Sequence, residues 1–402
     1  MALPVVDVTS SEFKARAYDY YAKLRAEAPV QAVKLPNRHT VWLVSRYDDV
    51  AALLKDARLA KDRNNATGSR PFSRLPGMLG FLQAIERNML DLDVPHHTRL
   101  RGLVHLAFTP RLVERMRSRI EDLSEELLAR AIRRGRMDLI ADYALPIPLT
   151  VISEMLGIPT ADQLGFHRWS SAVVAATAKP NLFRVLPAIW NFVRYLRRII
   201  AAKRERPEDD LISALVAAEE SGERLREDEL VAMVFLLVIA GHETTVNLIG
   251  NGTLALLQWP EQHERLRAEP QLDASAVEEL LRYDSPVEVS TERYAREPIT
   301  IAGVTIPTGA LVYGVLASAN RDATQFEEPD RLDLGREKNR HLAFGQGIHY
   351  CLGAPLARLE GRIAIRRLLD RIPGLELAVP CSALRWRKGL NIRGLEELPV
   401  AW

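Results

Sequence analysis

The chain has 402 residues, of which 47% are hydrophobic and 26% are charged, and its formal net charge at pH 7 is +2. This length and composition allow a large buried core. The 54 basic residues are balanced by 52 acidic ones, which is not typical of a nucleic-acid-binding protein, so we expect no such partner. With only Cys351 and Cys381 as cysteines, a disulfide framework is not indicated, and a reducing compartment is expected.

The N-terminal residues do not have the basic segment and apolar stretch of a signal peptide. The longest apolar run, 231–241, is too short to cross a bilayer. These features predict a cytoplasmic protein without a membrane anchor. No linker rich in glycine, serine or proline divides the chain, so we expect a single domain over residues 1–402.

Helical periodicity dominates the chain, and the β-like segments are short. Apolar residues at three- and four-residue spacing predict helices at 48–59, 111–134, 186–206, 227–258, 275–283 and 354–372. Strands are predicted at 41–44, 299–302, 305–306 and 311–313, with a turn at 307–309. The predicted fold class is therefore mainly α with a minor β-sheet region, and its sheet is built from both ends of the sequence.

A first candidate site lies in 93–101, Asp-Val-Pro-His-His-Thr-Arg-Leu-Arg. His97 and Arg101 are four residues apart and therefore share one face of a helix. Together they suit an anionic group, because arginine and histidine donate hydrogen bonds to carboxylates. Taken singly, each is explained equally well as a core histidine or a solvated arginine.

A second candidate site interrupts the apolar segment 235–245. Gly241 has no side chain, so another group can lie close against the helix there. The Thr244 hydroxyl can bond back to the Ala240 carbonyl, which competes with the helix ladder and can open a bulge that holds water. With the Glu243 carboxylate beside it, the hydroxyl can pass protons. The alternative is a threonine that satisfies its own helix and a glutamate paired with a surface arginine.

The most specific segment is 344–353, Phe-Gly-Gln-Gly-Ile-His-Tyr-Cys-Leu-Gly. Cys351 comes just before a predicted helix, where the positive end of the helix dipole and unpaired N–H groups stabilise a thiolate. Gly345, Gly347 and Gly353 allow the backbone to fold tightly around the sulfur and a flat cofactor to approach. An axial thiolate ligand of haem iron requires such a loop. The alternative is a buried structural cysteine beside a glycine-rich turn.

Residues 344–353 resemble the haem-binding loop of the cytochrome P-450 family, F-G-x-G-x-H-x-C-x-G. The segment 240–245, Ala-Gly-His-Glu-Thr-Thr, resembles the family's A-G-x-[D/E]-T-[T/S] element. Glu279-Leu-Leu-Arg282 matches its E-x-x-R, and 93–101 is similar to its D-P-P-x-H-T-R-L-R with two departures. The resemblance covers essentially the whole chain and implies the cytochrome P-450 fold.

The resemblance implies a role for each matching residue. Cys351 would be the axial ligand of the iron in haem b, and Glu243 and Thr244 would be the catalytic acid–alcohol pair. Glu279 and Arg282 would form a buried structural pair, completed by Arg336. The other residues implied to bind the cofactor are His97, Arg101, Arg293 and His341 at the propionates, together with Ala240, Phe344, Gly345, His349 and Gly353.

The resemblance also implies a bacterial, monomeric haem-thiolate monooxygenase. It would insert one oxygen atom from O₂ into a C–H or C=C bond of a lipophilic steroid, fatty acid, terpenoid or macrolide-like molecule. Electrons from NAD(P)H would arrive through a separate ferredoxin or flavodoxin with its reductase, because no glycine-rich cofactor fingerprint is present. An acidic partner predicts a basic surface near the cysteine. The candidates for it are Arg99, Arg340, Arg358 and Arg362.

The substrate pocket is implied to be lined by mainly apolar segments, which suit a lipophilic ligand. They are 72–81, 172–186, 235–245, 286–291 and 390–392, with Arg70 and Arg74 near the first. Two alternatives stay open. A peroxide-driven haem-thiolate peroxygenase would not need Glu243 and Thr244, and a haem-binding sensor or carrier would bind the cofactor without turnover.

Overall fold

The computed structural model describes residues 6–67, 88–178, 182–220 and 222–402. The described helices, in chain order, are α1 (Ser11–Ala15), α2 (Ala17–Glu27), α3 (Tyr47–Leu53), α4 (Asn64–Thr67), α5 (His96–Ala107), α6 (Pro110–Arg115), α7 (Arg117–Ile132), α8 (Pro146–Met155), α9 (Thr160–Ala178), α10 (Leu182–Glu205), α11 (Leu211–Ala217), α12 (Glu227–Gln258), α13 (Pro260–Ala268), α14 (Asp273–Tyr283), α15 (Leu316–Ala319) and α16 (Ala354–Arg371). A π-helical turn, Ile140–Ala144, precedes α8.

The strands are short. They are β1 (Val30–Lys34), β2 (Thr40–Val44), β3 (Leu59–Ala60), β4 (Arg136–Asp138), β5 (Glu219–Glu220), β6 (Glu223–Arg224), β7 (Arg293–Ala295), β8 (Ile299–Ile301), β9 (Val304–Ile306), β10 (Leu311–Gly314), β11 (Glu376–Leu377) and β12 (Pro399–Ala401). The chain is therefore mainly α with a minor sheet region, as predicted.

Contacts along the chain define two compact units. One comprises Met1–Thr67, Ile120–Ile147 and Thr244–Trp402, and the other comprises Gly68–Arg119 and Pro148–Glu243. The single domain expected from the sequence stays a prediction.

The first unit contains the main sheet, with strand order β1-β2-β10-β7-β3. Strands β2 and β10 are parallel, and the other neighbouring pairs are antiparallel. Val41 pairs with Val33 on one side and Leu311 on the other, and its own side chain is fully buried. Strands near the N-terminus thus pair with strands near residue 300, as the sequence predicted. A smaller antiparallel sheet, β11-β12-β4, brings the last residues of the chain beside β4.

In its described residues, the second unit is helical apart from the paired strands β5 and β6. Phe166 of α9 packs edge-on against Phe192 of α10, with ring centroids 5.3 Å apart. Phe192 also lies 5.4 Å from Phe235, in the first half of α12. Glu229 stabilises the start of α12, because it accepts the Arg226 backbone N–H at 2.9 Å and lies in an acidic first turn.

Four predicted helices match the observed ones within a few residues at each end, and two do not. The segment 48–59 is too long, because α3 ends at Leu53. Asp56 then accepts the backbone N–H of Arg58 at 2.9 Å, which favours a turn over a further helical turn. The segment 111–134 is divided at Met116, whose N–H bonds Val113 three residues back. Helix α9 was not predicted, because its apolar residues do not form one clear stripe.

Within the described part of the chain, α12 alone is long and apolar enough to cross a bilayer. Its most apolar 18-residue window has a mean hydropathy of 1.6, and 56% of that window is buried in the protein. The core helix of a globular protein satisfies the same criteria of length and composition.

Candidate active site

Cys351 lies two residues before Gly353, the N-cap of the 18-residue helix α16, and its side chain is half-buried. The Cys351 N–H donates to the Phe344 carbonyl oxygen at 3.0 Å, which closes the loop. Gly345 and Gly347 have φ angles of 68° and 75°, in the left-handed region that favours glycine. The sulfur is therefore placed at the positive end of a helix dipole, where a thiolate is stabilised.

Arg293, the first residue of β7, is buried beside this loop. Its guanidinium donates to the carbonyl oxygens of Leu54 and Thr291, each at 3.3 Å. A Cβ added to Gly347 would lie 3.1 Å from the same Leu54 oxygen, so the cysteine loop packs against an acceptor that Arg293 also uses. A buried guanidinium at this position suits the carboxylate of a propionate.

His341 has partners for both of its ring nitrogens within the first unit. Nδ1 accepts the Ala343 backbone N–H at 3.2 Å, and Nε2 lies 3.1 Å from Oε2 of Glu278 on α14. Because Nδ1 is the acceptor, Nε2 carries the hydrogen and donates it to the carboxylate. These bonds hold the segment that leads into the cysteine loop. The assignment of His341 to a propionate stays a prediction.

Glu278 also binds Arg358 of α16 through both carboxylate oxygens, at 2.7 and 2.8 Å. Arg358 in turn donates to Tyr350 Oη at 3.2 Å and lies 4.5 Å from the ring centroid of Phe344. Burial by itself would raise the pKa of Glu278, but the hydrogen bonds from Arg358 and His341 outweigh it and lower the pKa to about 2. The charged Glu278 carboxylate therefore binds His341, which precedes the cysteine loop, and Arg358, which follows it.

The E-x-x-R pair is buried, as predicted. Arg282 donates to both oxygens of Glu279 at 2.8 Å, and both side chains are fully inaccessible. Arg336 also reaches Glu279, at 3.1 Å, and Asn339 donates to it at the same distance. These bonds hold the segment before the cysteine loop against α14, so the predicted structural role of Glu279, Arg282 and Arg336 is confirmed.

The polar residues that interrupt the apolar sequence of α12 at 240–245, which we call the polar break, coincide with a change in solvent exposure. Ala240 and Gly241 are exposed in the middle of a mostly buried helix, and Glu243 and Thr244 lie one turn further on, half-buried. A Cβ added to Gly241 would meet no atom within 4 Å. This accessible strip of backbone suits a flat group lying against the helix, with a carboxyl and a hydroxyl at its edge.

The bulge expected at Thr244 is not seen, because α12 is a continuous α-helix from Glu227 to Gln258. Thr253 illustrates the reason. Its hydroxyl donates to the Ile249 carbonyl oxygen at 2.7 Å while the helix continues. A threonine back-bond is therefore compatible with an intact ladder in this helix.

Glu360 on α16 is a candidate functional residue to which the sequence analysis gave no role. It is 2% exposed and hydrogen-bonds the Thr245 side chain. Burial raises the pKa of Glu360 to about 8, and the bond from Thr245 opposes this only in part. The sequence signal is a glutamate on the face of α16 that carries the apolar residues Leu356, Leu359 and Ile363.

The predicted pair His97 and Arg101 lies on α5, in the second unit. His97 is buried, Arg101 is half-buried, and their spacing places them on one helical face as expected. His349 is half-buried in the 3₁₀ turn Gly347–His349 of the cysteine loop. The assignment of His97 and Arg101 to the propionates, and of His349 to the cofactor, stays a prediction.

The predicted pocket segments are described in part. Residues 72–81, with Arg70 and Arg74, lie outside the described residues, as do 179–181. The segments 286–291 and 390–392 pair with each other, since Val287 and Ile392 form an antiparallel bridge.

The residues present fit a haem group. In the described residues no three His, Cys, Asp or Glu side chains are arranged to hold a metal ion. A single cysteine at a helix N-terminus is instead the ligand set of an iron held in place by its porphyrin. In the first unit, the buried Arg293 beside the cysteine loop suits a propionate.

Known proteins match this chain over nearly its whole length. A family model described as Cytochrome P450 matches residues 181–372. The polyketide biosynthesis cytochrome P450 PksS of Bacillus subtilis is 44% identical over 393 residues, 97% of this chain and 96% of that protein. The cytochrome P450 monooxygenase PikC of Streptomyces venezuelae is 44% identical over 404 residues, 99% of this chain and 94% of that protein. The solved structure of PksS has a TM-score of 0.92 at 44% identity and covers 98% of this chain and 99% of its own.

Fold and site together define a haem-thiolate oxidoreductase. The chain belongs to the cytochrome P450 family, and it is a monooxygenase of that family. The predicted fold class and enzyme class are confirmed, and the family implies haem b as the cofactor.

Proposed function

We propose that this monooxygenase inserts one oxygen atom from O₂ into a C–H or C=C bond of a lipophilic, polyketide-type molecule. The loop that presents Cys351 at the start of α16 carries the proposal. The mainly apolar segments at 235–245, 286–291 and 390–392 support a lipophilic substrate. The name of PksS, which assigns that relative to polyketide biosynthesis, supports the narrower class.

Cys351 would hold the haem iron, Arg293, His97 and Arg101 would bind the propionates, and His349 would contact the cofactor. Haem bound in this way supplies the activation of O₂, and its thiolate ligand favours cleavage of the O–O bond. The loop's task is to keep the sulfur ionised. The dipole of α16 does this electrostatically, because the negative sulfur lies at the helix N-terminus.

The protein's own residues must also supply the protons that the reaction consumes. Monooxygenation consumes two protons for each O₂, and Glu243 and Thr244, next to the accessible strip of α12, would pass them on. Glu360 adds a buried reserve, since its raised pKa keeps a proton on the carboxyl oxygen at neutral pH and its partner Thr245 adjoins Thr244 in sequence. We assign Glu243 and Thr244 to delivery and Glu360 to supply.

Electrons would come from NAD(P)H through a separate ferredoxin or flavodoxin and its reductase. Among the proposed docking residues, Arg99 is bound to Glu229, and Arg358 is bound to Glu278. Arg340 and Arg362 have no ion pair within 4.0 Å in the described part of the chain. Unpaired charges dominate the field that attracts an acidic partner, so Arg340 and Arg362 are the stronger candidates.

Titration of the purified ferric protein with polyketides, macrolides, steroids, fatty acids and terpenoids tests the substrate class. A fitting compound is expected to shift the Soret band toward the high-spin form in a saturable way. Turnover with ferredoxin, reductase and NADH should then yield a product that contains one added oxygen. A saturable shift with steroids alone would contradict the polyketide assignment.

Thr244→Ala tests the delivery of protons. We expect O₂ consumption to continue while most of it yields hydrogen peroxide, so that product per NADH falls by about tenfold or more. Thr253→Ala, on the same helix but bonded to its own backbone, is the matched control. Unchanged coupling in Thr244→Ala would contradict the relay. Product formed only with added peroxide would support the peroxygenase alternative, and no product under any condition would support the sensor or carrier.

The cellular compartment follows from the same assignments. We propose a bacterial cytoplasmic enzyme, since Cys351 and Cys381 do not form a disulfide and the proposed electron donors require a reducing environment. Fractionation of the producing cells, with the protein detected by antibody, tests this placement. Recovery in the membrane pellet after a high-salt wash would contradict it.

A further inference from the structure

Lys14, in the five-residue helix α1, is fully buried. Its ammonium group donates to the Glu288 carboxylate and to the carbonyl oxygens of Leu390 and Ile392, the latter two at 3.3 Å. An ammonium group has three N–H donors, and these three acceptors use all of them. A buried cation is tolerated only when it is paired and hydrogen-bonded, so the positions of the three acceptors are coupled to Lys14.

The acceptors belong to two segments, 286–291 and 390–392, which we call the wall segments. Val287 and Ile392 face each other across an antiparallel bridge, and both side chains are half-buried. Directly opposed residues project to the same face of a ladder, whereas the next residue in a strand projects to the other. Glu288 is that next residue, and it is fully buried. Lys14 therefore contacts the wall from the face opposite to Val287 and Ile392.

Further bonds tie the N-terminal helices to the same place. Tyr21 of α2 donates its hydroxyl to Glu288 at 2.7 Å. Arg393, which follows the second wall segment, donates to the Lys14 carbonyl oxygen at 2.5 Å and to Asp284 at 2.6 Å. The spacing of the wall segments is thus set by groups that lie behind them and that are distant in sequence.

We propose that Lys14 is a positioning residue for substrate recognition. By fixing the spacing of the wall segments from behind, it determines how the substrate lies and which carbon is presented for oxidation. Lys14 does not touch the substrate, since it acts through the backbone of Leu390 and Ile392. This inference rests on the proposed function, because it takes the wall segments to line the substrate pocket.

The test is the double variant Lys14→Met with Glu288→Gln, which removes both charges, keeps both volumes and leaves an acceptor for Tyr21. We expect the dissociation constant from the Soret titration to rise about fivefold or more and the ratio of oxidation products to change, because small displacements of a bound substrate have large effects on reactivity. The Soret maximum of the reduced, carbon-monoxide-bound protein should stay that of the wild type, since Cys351 is not altered.

The matched control is Lys203→Met with Asp210→Asn, which removes another buried ion pair, with Nζ and Oδ2 2.6 Å apart, from the second unit. We expect it to change stability without changing the product ratio. A wild-type ratio and affinity in the Lys14 double variant, or the same change in the control, would overturn the proposal. If the double variant does not fold, Lys14→Gln is measured instead, because its shorter amide reaches fewer of the three acceptors. Unchanged behaviour there would likewise overturn the proposal.

Failure of the proposed function gives a different result. If the wild-type enzyme yields no oxidised product with any compound, the proposed monooxygenation is contradicted. The difference in dissociation constant between the wild type and the Lys14 double variant, measured by Soret titration, would still report the role of Lys14 in binding.

Discussion

Two carboxyl groups near the cysteine loop have opposite electrostatic states. Glu278 accepts hydrogen bonds from Arg358 and His341, and its pKa is lowered to about 2. Glu360 has the Thr245 side chain as its hydrogen-bond partner, and burial raises its pKa to about 8. Burial and charged donors together separate the two groups: Glu278 is partly exposed and bound to a guanidinium, whereas Glu360 is almost fully buried and bonded to a neutral hydroxyl.

The two pKa values match the roles that we propose for the regions around Glu278 and Glu360. The region around Glu278 joins α14 to the residues at both ends of the cysteine loop, so a permanent charge there holds the loop in place. The region around Glu360 joins α16 to the polar break of α12, where we propose that protons are delivered. One carboxylate stabilises the loop, and the other carboxyl group is the proposed source of protons.

The largest expected effect comes from Glu279, which adjoins Glu278 in sequence and has two guanidinium groups among its partners. Glu279→Gln leaves Arg282 and Arg336 without their counter-charge in a buried environment, which costs about 3–5 kcal/mol. Urea unfolding and the yield of haem-loaded protein measure this loss. Glu264→Gln, which removes an exposed i,i+3 ion pair with Arg267, should change stability by less than about 1 kcal/mol. Equal stability of the two variants would contradict the structural role.

Glu278→Gln should cost about 1–3 kcal/mol at pH 7, because it weakens hydrogen bonds to charged donors. In the wild type, the pKa of Glu278 is lowered by folding, so its contribution is present above the ordinary carboxyl value of 4.5 and is lost as the pH falls toward 2. The gap in unfolding free energy between the wild type and the variant should therefore narrow from pH 7 to pH 4. A constant gap would contradict the lowered pKa.

Glu360→Gln should reduce coupled turnover about tenfold at pH 7, since the amide cannot release a proton. Folding raises the pKa of Glu360, so its stabilising contribution is present below the ordinary value of 4.5 and is lost as the pH rises through about 8. The wild type should accordingly lose stability relative to the variant between pH 5 and pH 9. Thr245→Val is the companion variant, and wild-type coupling in both would remove Glu360 from the proton supply.

The smallest expected effect concerns the surface near Glu278. Arg340→Gln should raise the KM for an acidic ferredoxin by about two- to fivefold at low salt and less at high salt, with stability unchanged. Arg358→Gln should instead lower stability, because its charge is already used by Glu278. If Arg358→Gln raised the KM for ferredoxin more than Arg340→Gln did, Arg358 would be the stronger candidate for docking.

Some of the site was predictable because its signals are local in sequence. The ten residues around Cys351, the i,i+3 pair Glu279–Arg282 and the periodicity of 227–258 each depend on near neighbours along the chain. Each of these features is found in the structure. The bond between His341 and Glu278 was not predictable in this way, because it joins residues 63 positions apart.

The sequence by itself determined the cysteine loop, the helical character and the cytochrome P450 family, since short-range patterns of glycine, charge and apolar spacing specify them. Only the tertiary structure decided the lowered pKa of Glu278, the raised pKa of Glu360 and the place of Lys14 behind the wall segments. The physical reason is that a pKa or a buried ion pair depends on which distant groups surround a side chain. Lys14 and Glu288, for example, are 274 residues apart along the chain.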